Sequence, residues 1–458
     1  MDRERKKRLH TWKIILTDAI IVILVASLAV VLSFIAMGYK FDDDGKLDQS
    51  GLLQAESTPT GATVIIDGEA MFLHTNMNHL LPEGDHEVRL EREGYDSWQN
   101  TVAIKSGKLY KLDYPRLFKQ DREVKTIKNF GDKALDFFLT SPDRKNALYR
   151  ETDSSNWSII KIDKDDPEIT EFDMSAVPGE FVGLVWSDDG DKVLTKWNKD
   201  GIIEYWLIDL AKPDNPLEIN KEFGLEFSKM RFINGSELLG LESGNLRKVS
   251  ISDRAVSRVL IDQVADFYND NQEIVYVLDK DDSSDKRTVG LYRSDAKTEV
   301  IKKTTADNVL VAVSEYLGEQ YVGVSSGSKI EIFHEKETVA KVKLDFVPEE
   351  ASARIGRLMT FSAKSSDGGT NLAVFDAERG EIFNFKLESQ DFFWLDDYLI
   401  GNVAEDKLYA RDFDGTNRRE LSSSAASNFD AVISKNNRWL YYLASNDAGE
   451  LELKREEL

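Results

Sequence analysis

The chain contains no cysteine. Disulfides, thiolate metal sites, cysteine nucleophiles and the thioether anchor of a lipoprotein are therefore excluded. Stability must come from a hydrophobic core, which 458 residues can supply because larger domains bury a greater share of their surface. Histidine is scarce too, limited to His10, His74, His79, His86 and His334. A zinc site takes three or four ligands at recognisable spacing. Only His74 and His79 lie near each other, so no metal and no other cofactor is expected. Basic charge is short outside the first thirteen residues. Those hold six basic against two acidic groups while the whole chain carries −23, which leaves −27 on the remainder. A surface that acidic repels nucleic acid and anionic lipid headgroups, and no nucleic-acid partner is expected.

What the chain does have is one long uncharged apolar run, Ala19 to Met37, reading AIIVILVASLAVVLSFIAM. A bilayer core takes roughly 20 apolar residues at about 1.5 Å each, and a soluble helix would keep a polar face. A single transmembrane signal-anchor helix is expected over residues 14–38, marked by Ala19, Ile23, Leu28, Val31, Phe34 and Met37. Arg3, Arg5, Lys6, Lys7, Arg8 and Lys13 precede the run, and Asp42, Asp43 and Asp44 follow it. The basic side stays inside. Residues 1–13 thus read as a cytoplasmic tail, and the rest as the outside part of a single-pass cell-membrane protein. Trp12 and Tyr39 flank the run where interfacial aromatics belong. A cleaved signal peptide is the competing reading, with Ala36-Met37-Gly38 as its small-x-small site, but the run exceeds an h-region of about 7–15 residues. Residues 39–50 read as an acidic stalk. Their Asp42-Asp43-Asp44-Gly45 run lacks the alternate-residue spacing of a calcium loop.

From 51 to 114 strand signals alternate with turns. Thr63-Val64-Ile65-Ile66 leads into Asp67-Gly68, a hairpin turn pair. Pro82-Glu83-Gly84 precedes the alternating run His86 to Leu90, and Gly94-Tyr95 marks another turn. The order of Ser57, Pro59, Gly61, Ala62, Val64, Ile66, Asp67 and Gly68, then Leu81, Gly84, His86, Val88, Leu90, Gly94 and Tyr95, resembles the PEGA family of small extracytoplasmic β-domains. Two positions depart from it: the tetrapeptide is Pro59-Thr60-Gly61-Ala62, and His74-Thr75-Asn76 replaces a central Thr-Pro pair. The resemblance implies a β-sandwich-like, non-catalytic envelope module. Pro115 to Asp121 reads as a linker.

Residues 122–458 carry an irregular repeat. Thr140 to Leu148, Trp186 to Leu194 and Ile433 to Leu440 each run apolar strand, Ser, polar turn, apolar strand. Weaker copies fall at Asn234-Gly235-Ser236, Asn269-Asp270-Asn271, Leu317-Gly318-Glu319, Ser365-Ser366-Asp367 and Leu395-Asp396-Asp397. The interval is near 40 residues, the period of propeller blades. A third strand with a large aromatic follows, as in Tyr205-Trp206 or Lys407-Leu408-Tyr409. The unit resembles the S-P-D-G-K repeats of TolB-like and WD40-like propellers. A mainly β chain is expected, ending in a β-propeller of seven or eight blades, with eight favoured. The last unit shows three strands, and Arg122 to Phe130 is an orphan strand, so it should complete the final blade and remove an exposed edge.

Catalytic patterns are weak. Gly323-Val324-Ser325-Ser326-Gly327 lacks the helix that a nucleophile elbow needs. The pairs Asp188-Asp189, Asp281-Asp282, Glu349-Glu350 and Asp396-Asp397 would matter only if they converged. Trp186, Trp197, Trp206, Trp394 and Trp439 read as packing between blades. The expected role is a membrane-anchored, non-enzymatic interaction or scaffolding protein of the cell envelope, binding a protein or a wall polymer through its β-domains. The alternative is a glycosidase-type surface hydrolase using carboxylates at the propeller mouth.

Overall fold

A computed structural model of the protein describes residues 2–36, 39–41, 47–270, 273–281, 285–293, 297–335, 337–353 and 356–458. It divides into two compact units, Met1–Asp121 and Arg122–Leu458.

The first unit begins with a 35-residue helix, Asp2–Ala36. Its stretch Leu16–Phe34 is long and apolar enough to cross a membrane, and none of it is buried in the protein. Ala19, Ile23, Leu28, Val31 and Phe34 are all exposed along it. Met37 lies outside the described residues, as do Asp42, Asp43, Asp44 and Gly45. The Ser33 hydroxyl donates to the Ala29 carbonyl at 2.8 Å, which satisfies it within the apolar run. The segment read as a stalk contains a hairpin: Tyr39–Phe41 pairs antiparallel with Leu47–Gln49, Tyr39 opposite Gln49.

Two small sheets follow. Gly51–Ala55 is the centre of the first, antiparallel to Met77–Leu81 and parallel to Leu109–Leu112. The second orders Glu69–His74, Thr63–Ile66, Gly84–Glu91 and Trp98–Ile104. Alternation puts one face of each inward, so Leu53, Ala55, Val64, Ile66, Val88, Leu90, Val102 and Ile104 are buried. Trp98 meets Tyr114 edge-on at 5.7 Å.

The motif residues build the turns. Asp67 and Gly68 have φ of 51° and 85°, as a two-residue I′ hairpin turn demands. The Asp67 carboxylate then ties the turn down, accepting the Glu87 N–H at 2.9 Å and facing His86 Nδ1 at 2.6 Å. The His86 bond, with the Glu87 N–H, holds the Asp67 carboxyl below its usual range despite some desolvation. Ser57 lies 2.6 Å from the Thr75 hydroxyl, which accepts the Ala62 N–H at 2.9 Å. Residues 69–81, which carried no strand signal, form two strands. His74 and His79 therefore fall in different sheets. The expected linker is part of the unit. Leu117 and Phe118 are buried, the Leu117 N–H donates to Thr58 at 2.9 Å, and the Gln120 N–H donates to Gly94 at 3.0 Å.

The second unit is a β-propeller. Among the described residues it forms eight four-stranded antiparallel sheets, numbered 1 to 8 along the chain. Sheets 1 to 7 span 135–173, 180–218, 229–256, 264–304, 309–343, 350–387 and 393–422. Sheet 8 takes Val432–Ile433, Trp439–Ser445 and Leu451–Glu457, and its outer strand is Val124–Asn129. Val124 pairs with Glu456, and Asn129 with Glu452. The chain's first propeller strand thus completes its last sheet. Hydrophobic clusters weld consecutive sheets. Phe138 and Tyr149 of sheet 1 pack with Trp439 and Leu443 of sheet 8, and Trp157 of sheet 1 packs with Trp197 of sheet 2. Similar clusters join 2 to 3, 3 to 4, 4 to 5 and 5 to 6. Sheets 6 and 7 are joined by aromatic packing, Phe383 meeting the buried Phe413 edge-on at 5.8 Å, and by charge. Asp376, with no exposed surface, lies 3.0 Å from Arg357 and 3.5 Å from Arg379, which reaches Asp414 of sheet 7 at 3.6 Å.

The repeat landmarks fall at the turn between first and second strands in sheets 1, 2, 3, 5, 7 and 8, and in sheet 4, where Asn271 lies outside the described residues. Ser365-Ser366-Asp367 is a correction: it joins the second and third strands of sheet 6. The same polar turn chemistry serves either hairpin.

Candidate functional site

The serine of the repeat is a turn lock. Ser141, Ser187 and Ser434 are each buried. Each hydroxyl donates to the side chain two residues on, at 2.6 Å to Asp143, 2.6 Å to Asp189 and 2.7 Å to Asn436. Each also accepts the N–H five residues on, from Asn146, Lys192 and Trp439 at 2.9 to 3.1 Å. The locked turns grip one another around the ring. Asn146 donates to the Gly190 carbonyl at 3.2 Å, the Lys435 N–H to Arg144 at 3.0 Å, and the Ile433 N–H to Leu395 at 2.7 Å.

These first turns enclose a cavity of about 320 Å³. Asp143 comes from sheet 1, Asp188 from sheet 2, Arg357 from sheet 6, Asp397 and Tyr398 from sheet 7, and Lys435 from sheet 8. Turns from five successive sheets of a closed ring meet only at its axis, so this is the mouth of the channel.

Most of the charges here are engaged. Asp143 accepts from Ser141 and lies 2.9 Å from Lys145. The buried Arg144 guanidinium donates to the Ile433 carbonyl at 3.1 Å and to Asp397 at 3.2 Å, tying sheet 1 to sheets 8 and 7. Arg357 lies over the Tyr398 ring at 5.1 Å. Asp188 and Lys435 differ, because neither side chain has a hydrogen bond or ion pair among the described residues. Desolvation pushes the Asp188 carboxyl up, against the pull of Arg231.

The other candidates are structural. Ser325 is buried on a strand and donates to the Gly327 carbonyl at 3.0 Å. Asp396 caps its own turn through the Tyr398 and Leu399 N–H groups, both at 2.8 Å. Glu349 accepts the Lys364 N–H at 3.2 Å. Asp282 lies outside the described residues. Trp186, Trp197, Trp206 and Trp439 are buried, and Trp394 is half-buried. His334 stacks on Tyr321 at 5.0 Å. Among the described residues no three acidic or histidine side chains are placed to hold a metal ion. Sequence reasoning missed Arg144, Arg357, Tyr398 and Lys435. One signal was present: Arg144 fills the slot that Gly190 holds in sheet 2, with φ of 60° against 70°. A side chain kept in a left-handed turn position has a reason to be there.

At the opposite end of the sheet 8 strands, Asp430 precedes Val432–Ile433. Burial pushes its carboxyl up to about 7, with Asp391 adding to the shift. The native state therefore holds a proton that the unfolded state releases near pH 4, and stability falls as pH rises from about 4 to about 7. Asp430→Asn should stabilise the propeller by about 1–3 kcal/mol at pH 8 and change little at pH 3.5. Thermal midpoints at the two pH values check this, and equal shifts at both would contradict it.

An apolar helix, a small β-sandwich and a closed propeller with a charged mouth define the class: a modular β protein with one candidate membrane span. Residues 50–117 match the PEGA domain family, so the sandwich is a PEGA domain. No curated protein matches the chain. Several solved structures are similar to it. The WD40 domain of SCAP from fission yeast has 8% identity and a TM-score of 0.44, covering 73% of this chain and 98% of that one. The Cps50 (Swd1) propeller domain of Myceliophteria thermophila has 11% identity and a TM-score of 0.39, covering 72% and 99%. An uncharacterized protein of Listeria monocytogenes has 11% identity and a TM-score of 0.40, covering 66% and 91%.

Proposed function

We propose that this is a membrane-anchored, non-catalytic interaction protein of the cell envelope, with its N-terminus in the cytoplasm and both β-units outside. The observation that carries the reading is the propeller mouth. Five sheets deliver their turns to one cavity, and the lining groups without a hydrogen bond or ion pair among the described residues include one acid, Asp188, and one base, Lys435. Opposed charges at the rim of a rigid ring favour recognition of a zwitterionic or mixed-charge surface, as on a protein loop or a peptide-bearing wall polymer. Asp143 and Asp397 are paired with cations, which leaves one free carboxylate where glycoside hydrolysis needs a converging pair.

The test is capture of envelope components by the full-length protein in detergent. The double reversal Asp188→Lys with Lys435→Glu should cut capture at least tenfold at an unchanged thermal midpoint. Undiminished capture would remove the mouth from the reading. The alternative is a glycosidase-type hydrolase acting through Asp188. Turnover of wall glycan by the wild type that Asp188→Asn abolishes would establish it instead.

A further inference from the structure

The turn 105–108 joins Trp98–Ile104 to Leu109–Leu112 in the PEGA domain. It is fastened to the residues that emerge from the membrane helix. The Ser106 hydroxyl oxygen lies 2.7 Å from the Gln49 carbonyl oxygen, and the Gly107 N–H donates to the Ser50 carbonyl at 3.2 Å. Gly107 sits so close to Gln49 that a Cβ there would lie 2.7 Å from its Nε2. Gln49 is paired across the hairpin with Tyr39. The Tyr39 ring meets that of Phe34, the last residue of the apolar span, edge-on at 5.1 Å. A continuous series of contacts thus runs from the end of the span to this turn.

The turn presents Lys105 and Lys108, both exposed, beside Leu109, which is 47% exposed. Neither lysine has an ion-pair partner among the described residues. Glu83, the carboxylate bonded to this turn, accepts from the Ser106 hydroxyl and N–H, and those bonds hold it below its usual range. Two lysines without an ion pair, just ahead of an exposed leucine, stand out in a chain whose residues after the first thirteen carry a formal charge of −27.

We propose that this turn rests on the bilayer that holds the helix. Leu109 enters the interfacial layer, and Lys105 and Lys108 extend along the apolar boundary to lipid phosphates. The inference rests on the membrane-anchor reading. Asp42, Asp43, Asp44 and Asp48 lie in the preceding segment and oppose anionic lipid. The recognised group is therefore the phosphate layer common to neutral and anionic lipids, not net surface charge. The tether keeps the turn at high effective concentration near that layer, so weak contacts suffice.

The absence of cysteine allows single-site labelling. The full chain in phosphatidylcholine nanodiscs would carry an environment-sensitive fluorophore at Leu109→Cys, Leu28→Cys in the span, or Leu317→Cys, where the native leucine is 76% exposed in the propeller. With a lipid-borne nitroxide quencher, the Leu109 probe should be quenched at least twofold more than the Leu317 probe. Lys105→Glu with Lys108→Glu should halve that difference, and excess inorganic phosphate should leave it intact. A Leu109 probe that behaves like the Leu317 probe while the Leu28 probe is quenched overturns the proposal. So does an effect abolished by free phosphate, which would mark a soluble-anion site. An unquenched Leu28 probe overturns the anchor reading, and this inference with it.

Discussion

Glu456→Ala is expected to cost the propeller about 3–5 kcal/mol, the penalty for leaving a buried charge without its partner. Glu456 is 3% exposed and lies 2.9 Å from Arg122. Its other oxygen accepts the Tyr442 hydroxyl at 2.6 Å. Burial, reinforced by Glu456, pushes that hydroxyl's ionisation upward, so it stays a donor at any ordinary pH. Alanine removes the carboxylate that pairs with the Arg122 guanidinium and the acceptor of the Tyr442 hydroxyl. The site is also the first rung of ring closure, Val124 opposite Glu456. Denaturant unfolding followed by tryptophan fluorescence would read the loss. Glu456→Gln should lose less, because it can still accept from Tyr442. A cost under about 1 kcal/mol for the alanine variant would place it with ordinary exposed ion pairs and deny that this pair seals sheet 8.

Trp157→Ala should cost a similar amount, about 3–5 kcal/mol, from lost burial and the cavity left behind. Trp157 has no exposed surface. Its ring lies 4.8 Å from Phe137, 5.3 Å from Phe181, 6.4 Å from Phe172 and 5.9 Å from Trp197. Phe181 and Trp197 belong to sheet 2, so the cluster is the weld between sheets. Trp157→Phe should recover more than half the loss. If alanine and phenylalanine cost the same, packing around this ring is not what binds sheets 1 and 2.

Much of this architecture was legible because its chemistry is local. The buried serine with an acid or amide two residues on makes a turn that needs nothing from elsewhere, and so it marks the first hairpin of sheets 1, 2 and 8 in plain text. Closure by residues 124–129 was legible by elimination, from a final unit one strand short. What stayed hidden has physical reasons. Glu69–His74 is a sheet edge exposed almost throughout, so no burial alternates along it and no period appears. The outer strands of sheets 2 and 3, Leu217–Glu218 and Ala255–Val256, are too short to show one. The mouth brings together Asp143 and Asp397, residues 254 apart in sequence, through ring closure alone. Only Arg144, standing in a glycine slot, hinted at it.

The closing strand also sets where a pull is felt. The chain enters the propeller at Arg122 and becomes the outermost strand of sheet 8 at once. Tension arriving along the chain from its N-terminal side meets the bonds of Arg122 to Glu456 and the Leu421 carbonyl first, and then the Val124–Glu456 rung. The bond between Arg122 and Glu456 thus acts as a latch at the head of a seam. A ring welded sheet to sheet would thus yield to force at this one outer strand, with its inner strands still paired.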